Sequence, residues 1–169
     1  MASSKTLVIY YSRTGTTKQL AAELAKALEA DLAELTETRS RRGLLGWLRS
    51  GYEATRGKTT TLRDVHAEAL NYSLVVVGTP VWAASVSSPV RTFLRQHAGR
   101  LPPVAFFATM GGRGSEAAFA QMAQEAKRSP VASVALAERA VVSGKEREKV
   151  STFVQELRKA SLRPAASGG

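Results

Sequence analysis

The sequence has 169 residues, contains no cysteine, and carries a formal net charge of +10 at pH 7. Its length fits one domain with a sizeable core, and the lack of cysteine excludes disulfides, cysteine-ligated iron–sulfur clusters and thiol catalysis. The positive charge is compatible with nucleic acid, an anionic membrane surface or an acidic protein as a partner, or with solubility alone.

Neither a signal peptide nor a membrane-spanning segment is predicted. Residues 1–5 are too short for the charged and apolar regions of a signal peptide, and no apolar run approaches the length that spans a bilayer. The expectation is a soluble, cytoplasmic protein. The two histidines, His66 and His97, lie far apart with no ligand-like spacing, so no metal site is predicted.

The first predicted elements are a buried strand at residues 7–11 and a helix whose inner face carries Leu20, Leu24 and Leu28. Four hydroxyl side chains lie between them, among residues 12–17 (SRTGTT). A helix N-terminus offers unpaired N–H groups and a positive dipole, so this turn suits a phosphate. The alternative is an ordinary turn with helix-capping hydroxyls. The sequence patterns of Walker-type and dinucleotide-binding turns are both missing.

Strands continue to alternate with helices along the chain. The pattern first predicts a strand within residues 31–38, a polar and basic segment at 39–63, and a strand at 74–77. A helix capped by Ser88 then ends near Gly99, and a strand at 104–108 and a helix at 115–127 follow it. The last predicted elements are a strand within 131–142, a closing helix with a capping box of Ser143 and Glu146, and a disordered tail at 164–169. This alternation indicates a parallel sheet covered by helices on both faces.

Three predicted loops leave strands in the same direction, at residues 12–17, 78–88 and 109–115. In such sheets ligands bind beyond the carboxyl ends of the strands, so the three loops are interpreted as one site. Trp82 either covers the sheet edge or stacks a flat ligand. The glycines of the third loop form either a flexible turn or a close approach of backbone to ligand. Together the loops predict a phosphorylated planar ligand.

The strand–SRTGTT–helix unit, LVVVGTPVWAAS and FATMGGRGS together resemble the flavodoxin family over roughly residues 5–160. The resemblance implies a flavodoxin-like α/β/α three-layer sandwich in one domain, at residues 1–163. It also implies a doubly wound, five-stranded parallel sheet of order 2-1-3-4-5 and noncovalent FMN at the switch point, both carried over from flavodoxin itself.

The same resemblance implies the site residues. The phosphate would be held by Ser12, Thr14, Gly15, Thr16 and Thr17, with Arg13 in the variable place of the turn, facing solvent. The isoalloxazine would be flanked by Thr79, Pro80, Val81 and Trp82, of which Trp82 would stack on it. The third loop would line the pyrimidine side with Thr109, Met110, Gly111, Gly112 and Gly114. No catalytic or metal-binding residue is implied.

Three functions are compatible with these motifs and with the resemblance. The first is an electron-transfer carrier that uses FMN, the second an FMN-dependent NAD(P)H:quinone-type oxidoreductase, and the third a partner-binding module without flavin. Electron-carrier flavodoxins are typically acidic, whereas this chain is basic, so its redox partner, a reductase or an electron acceptor, could be acidic. Arg13 and Arg113 would stabilise an anionic reduced flavin, which predicts a less negative potential than an acidic site gives.

The basic segment at residues 39–63 has two interpretations. It could contain the second crossover helix with its arginines solvated, or it could present a basic, aromatic-tipped surface to anionic lipid, an acidic partner or a second subunit. No specific nucleic acid is expected, because no helix-turn-helix, zinc or RNA-binding signature is present. The oligomeric state is not predicted.

Overall fold

The computed structural model describes residues 5–37 and 66–162. The strands are β1 (Thr6–Tyr10), β2 (Asp31–Glu34), β3 (Leu74–Trp82), β4 (Ser85–Val86), β5 (Val104–Met110) and β6 (Ser133–Ala137). The helices are α1 (Thr16–Leu28), α2 (Ser88–Gln96), α3 (Ser115–Ala126), α4 (Glu138–Ser143) and α5 (Arg147–Ser161), with a 3₁₀ turn at Ala67–Asn71. Within these ranges no helix is long and apolar enough to cross a membrane.

The sheet has the order β2-β1-β3-β5-β6, and β4 pairs with β3 outside this path. All neighbours in the path are parallel, whereas β4 is antiparallel to β3. Counting the parallel strands alone, the order is 2-1-3-4-5, so the predicted flavodoxin-like topology is confirmed. β2 lies on one side of β1, and the chain then crosses back so that β3 lies on the other side of β1. The switch point of the sheet is therefore between β1 and β3.

Helices cover both faces of the sheet because its central strands are apolar on both sides. On one face α1 and α5 contribute Leu24 and Leu157 to the core, and on the other α2 and α3 contribute Phe93 and Met122. The three-layer architecture expected from the alternating pattern is therefore present.

Two strands extend further than the apolar pattern indicated. β3 continues through Thr79 and Pro80 to Trp82, and β5 continues to Met110, so both predicted loops begin inside strands. The polar residues and the proline in these extensions are not typical of a buried strand. They remain in the sheet because Thr79 and Pro80 pair with β5, and Trp82 pairs with β4.

Two boundary predictions were wrong, the capping box of α5 and the N-cap of α2. The capping box is absent because Ser143 belongs to the last turn of α4, where its hydroxyl donates to the Arg139 carbonyl at 2.7 Å. The N-cap of α5, Glu146, makes no side-chain capping bond. The N-cap of α2 is Ser87 and not Ser88. The predictions for residues 39–63 and 164–169 lie outside the described residues.

Candidate functional site

The first part of the site is the turn between β1 and α1. The Ser12 hydroxyl accepts a hydrogen bond from the Gly15 N–H at 3.1 Å, and Gly15 has a φ of +101°. The first helical hydrogen bond that reaches back to this turn runs from the Gln19 N–H to the Gly15 carbonyl. The N–H groups of the first residues of α1 therefore have no partner within the helix, and an anion at this end would meet them and the positive helix dipole.

Thr17 has a different position from the other hydroxyls of the turn. Its side chain is buried, and its hydroxyl lies 2.7 Å from the Thr109 hydroxyl at the end of β5. Thr14 is exposed, and Ser12 and Thr16 are partly exposed. Thr17 and Thr109 thus join the first and third segments of the site, while the other three hydroxyls remain open to solvent.

Arg13 does not simply face solvent, contrary to the expectation from the sequence. Its guanidinium carbon lies 5.8 Å from the centroid of the Trp82 ring, within the range of a cation–π interaction. Its Nε is buried and has no hydrogen-bond partner within residues 5–37 and 66–162. Tyr11 meets Trp82 edge-on, with ring centroids 6.1 Å apart. Trp82 is therefore fixed by two residues of the β1–α1 segment.

The second part of the site is the hairpin of β3 and β4. Its turn consists of Ala83 and Ala84, which have φ values of +50° and +57°, and the flanking residues Trp82 and Ser85 pair across it. Positive φ at both central residues defines the turn that matches the twist of a two-residue hairpin. The hairpin places Trp82, which is partly exposed, beside two exposed alanines.

Thr79 supports this hairpin from inside. Its side chain is fully buried, its hydroxyl donates to the Ser87 hydroxyl at 3.0 Å, and it accepts from the Ser87 N–H at 3.1 Å. Pro80 and Val81 are also buried. Of the four residues expected to flank a flavin, Trp82 is the one whose side chain reaches the surface.

The third part of the site is the glycine-rich segment after β5. Gly114 has a φ of +102°, and a Cβ there would lie 2.8 Å from the Ala84 Cα, so glycine is required for the segment to pack on the hairpin. A Cβ at Gly111 or Gly112 would meet no atom within 4 Å. These two glycines therefore border open space, while Gly114 has a packing role.

The contacts above bring the three predicted loops together at one end of the sheet. Thr17 meets Thr109, Arg13 meets Trp82, and Gly114 meets Ala84. Two further residues were not found from the sequence: Gln121 of α3, which accepts a hydrogen bond from the Val86 N–H of the hairpin, and Arg91 of α2, which donates to Gln121. They belong to no motif, and only the packing of α2 and α3 brings them to the site.

The family model for flavodoxin matches residues 5–157. The chain belongs to the flavodoxin family. The match covers both described parts of the chain from β1 to within α5, so it includes all three segments of the site. No curated protein matches the chain significantly.

Solved structures agree with this flavodoxin fold. A flavoprotein from Lactobacillus acidophilus in complex with FMN has 24% identity, covers 83% of this chain and 97% of its own, and has a TM-score of 0.66. Flavodoxin 1 from Bacillus cereus has 14% identity, coverages of 92% and 97%, and a TM-score of 0.57. An NADH:FMN oxidoreductase has 16% identity, coverages of 96% and 91%, and a TM-score of 0.60.

Proposed function

We propose that this flavodoxin-family protein binds FMN noncovalently and serves as an electron-transfer carrier. Membership of the family assigns FMN to the chain as its cofactor. The observation that supports this most strongly is the meeting of the hydroxyl-rich turn, Trp82 and the glycine segment beyond the carboxyl ends of β1, β3 and β5.

The residues at this end of the sheet fit the parts of FMN. The phosphate would bind the N–H groups at the start of α1 and the hydroxyls of Ser12, Thr14 and Thr16, all at least partly exposed. The planar ring would lie between Trp82 and the open space beside Gly111 and Gly112. Thr17 and Thr79, whose hydroxyls are bonded inside the protein, would support the site from behind.

Bound FMN would supply the electron-transfer chemistry, and the protein would set its affinity and potential. Arg13 lies against Trp82, and Arg113 is exposed in the glycine segment. Positive charge near the ring favours the anionic reduced cofactor. The bound flavin should therefore have a less negative reduction potential than an acidic flavin site would give.

The alternative function is an FMN-dependent NAD(P)H:quinone-type oxidoreductase. The fold alone does not separate it from a carrier, because similar structures include both a flavodoxin and an NADH:FMN oxidoreductase. An enzyme needs a second planar molecule to stack on the exposed flavin face. Whether NAD(P)H reduces the bound cofactor directly is therefore the decisive difference.

As part of the same proposal, the protein works in the cytoplasm and exchanges electrons with a redox partner protein. Its net charge of +10 supports an acidic partner. The basic segment at residues 39–63 would contribute to this contact, or to a peripheral contact with anionic lipid. Flotation with anionic vesicles separates these outcomes, since a chain that stays unbound at low salt does not use the lipid contact.

The assigned site is tested by titrating FMN into the chain and following the quenching of flavin fluorescence. We expect Trp82→Leu to weaken FMN binding by roughly tenfold, because aromatic stacking contributes about 0.5–1.5 kcal/mol beyond buried area. Tyr72→Leu is the matched control. The Tyr72 hydroxyl donates to Asp31 at the amino-terminal ends of the strands, opposite the site. Its loss should therefore leave the affinity for FMN unchanged. Equal affinities of Trp82→Leu and the wild type would refute the stacking role.

A further inference from the structure

One side chain of α3 contacts three consecutive residues of the hairpin. The Gln121 Oε1 accepts from the Val86 N–H at 3.2 Å. The Gln121 Nε2 donates to the Ser85 hydroxyl at 3.2 Å and to the Ala84 carbonyl at 3.4 Å. Both ends of one amide are therefore used to hold the second half of the hairpin.

The hairpin needs such support. Ala83 and Ala84 both have positive φ, which is unfavourable for residues with a Cβ, and β4 has only two residues. A short two-stranded hairpin is marginally stable by itself. Val86 pairs with Val81 and Ser85 pairs with Trp82, so whatever fixes β4 also fixes the end of β3 that carries Trp82.

A charged network determines which way the Gln121 amide points. Arg91 is 6% exposed and donates from Nη2 to the Gln121 Oε1 at 3.0 Å and from Nη1 to Glu125 at 3.0 Å. Arg95 donates to both oxygens of Glu125, at 2.9 and 2.8 Å. Because a guanidinium has donors only, Arg91 fixes the oxygen of Gln121 on its own side, and the amide nitrogen is left to face Ala84 and Ser85.

We propose that Gln121 is a positioning residue that holds the β3–β4 hairpin, and with it Trp82, in place for the flavin. Arg91, which is itself held by Glu125, orients the Gln121 amide. This inference rests on the proposed function, because the hairpin is taken to bind FMN. A hairpin that is ordered before binding lowers the entropy cost of binding. Gln121 itself acts only through the hairpin backbone and the Ser85 hydroxyl.

The test compares Gln121→Ala and Gln121→Glu with the matched control Gln124→Ala, an exposed glutamine of the same helix. We expect Gln121→Ala to weaken FMN binding by roughly tenfold, because the hydrogen bonds of three hairpin residues are lost together. Gln121→Glu keeps the acceptor for Val86 and Arg91 but has no donor for the Ala84 carbonyl and the Ser85 hydroxyl, so its affinity should lie between those of the wild type and Gln121→Ala. Gln124→Ala should bind as the wild type does.

Amide hydrogen exchange of Val86 without FMN provides a second measurement. Its N–H should exchange at least about tenfold faster in Gln121→Ala, and near the wild-type rate in Gln121→Glu. Equal FMN affinity in the wild type and Gln121→Ala, or an unchanged Val86 exchange rate, would overturn the positioning role. A wild-type chain that binds no FMN would instead overturn the proposed function itself, a result that the control variant would share.

Discussion

At the scale of single residues, the hydroxyl pair of Thr17 and Thr109 joins two segments of the site. Both side chains are buried, and their oxygens are 2.7 Å apart. If one hydroxyl is removed, the other is left buried without a hydrogen-bond partner and without access to water. The loss of stability is then the desolvation cost of an unsatisfied buried polar group. The pair therefore contributes to stability as well as to the shape of the site.

We expect Thr17→Val and Thr109→Val each to lower the free energy of unfolding by about 1–2 kcal/mol, and the double variant to lose less than the sum of the two. Urea unfolding of the four proteins gives the coupling free energy. Thr152→Val, on the exposed side of α5, is a control that should change stability by less than about 0.5 kcal/mol. Strictly additive losses would mean that the two hydroxyls do not interact.

Tyr10 makes the stability depend on pH in the alkaline range. Burial raises its pKa to about 12, helped by the charge of Glu34 and by the hydrogen bond that the phenol donates to that carboxylate at 3.3 Å. The unfolded chain loses this proton near the ordinary pKa of 10. Between these values the folded state binds more protons than the unfolded state, so stability falls as pH rises.

We therefore expect a larger loss of stability between pH 9 and pH 11 in the wild type than in Tyr10→Phe, by about 1 kcal/mol. Guanidinium unfolding at both pH values measures the difference. Tyr72, whose pKa is also raised to about 12 by its hydrogen bond to Asp31, remains in both proteins and cancels. Identical pH profiles for the two proteins would show that the Tyr10 phenol ionises alike in the folded and unfolded states.

At the scale of elements, the two-residue turn of the β3–β4 hairpin is built from residues that disfavour its conformation. Ala83 and Ala84 adopt positive φ, where asparagine and glycine are preferred. The turn is kept by its neighbours, since Gln121 bonds the Ala84 carbonyl and Gly114 packs on the Ala84 Cα. Replacing these two alanines by residues that favour positive φ should therefore stabilise the fold.

We expect the double variant Ala83→Asn, Ala84→Gly to raise the melting temperature by roughly 2–4 °C, which corresponds to about 1 kcal/mol for a domain of this size. Calorimetry measures the shift. Ala22→Gly, at an exposed position inside α1, should act in the opposite direction, because there glycine costs about 1 kcal/mol. A decrease in melting temperature for the hairpin variant would contradict the assigned turn geometry.

Patterns of apolar residues were sufficient to predict the sheet but not the ends of its elements. The runs around Val8 and Val76 are strongly apolar and therefore predicted strands. The order of those strands came from the family resemblance alone. Strand β3 beyond Val77 could not be predicted, because Thr79 and Pro80 are kept in the sheet by pairing with β5 and not by their own preference.

The same distinction holds for the candidate site. Its three segments could be located from the sequence, because topology brings the carboxyl ends of parallel strands together. The contact of Arg13 with Trp82 and the bonds of Gln121 to the hairpin depend on side-chain packing between segments distant in sequence. No local pattern indicates contacts of this kind.

At the scale of the whole molecule, a flavodoxin fold is combined with a strongly basic sequence. The family model spans residues 5–157, and the net charge is +10. Much of that charge lies in the segment at residues 39–63, which carries Arg39, Arg41, Arg42, Arg49, Arg56, Lys58 and Arg63. Salt screens electrostatic attraction between proteins, with a Debye length of about 10 Å at 0.1 M. If the partner is acidic, as proposed above, electron exchange with it should therefore weaken as ionic strength rises.

The central claim, an FMN carrier, is tested most directly by an anaerobic absorption experiment. The chain is loaded with FMN, unbound flavin is removed, and NADPH is added without oxygen before and after a separate flavodoxin reductase. We expect a protein-bound flavin spectrum that NADPH alone leaves unchanged and that bleaches once the reductase is present. Prompt bleaching by NADPH alone would contradict the carrier and favour the oxidoreductase, and a chain that retains no flavin would contradict the FMN site itself.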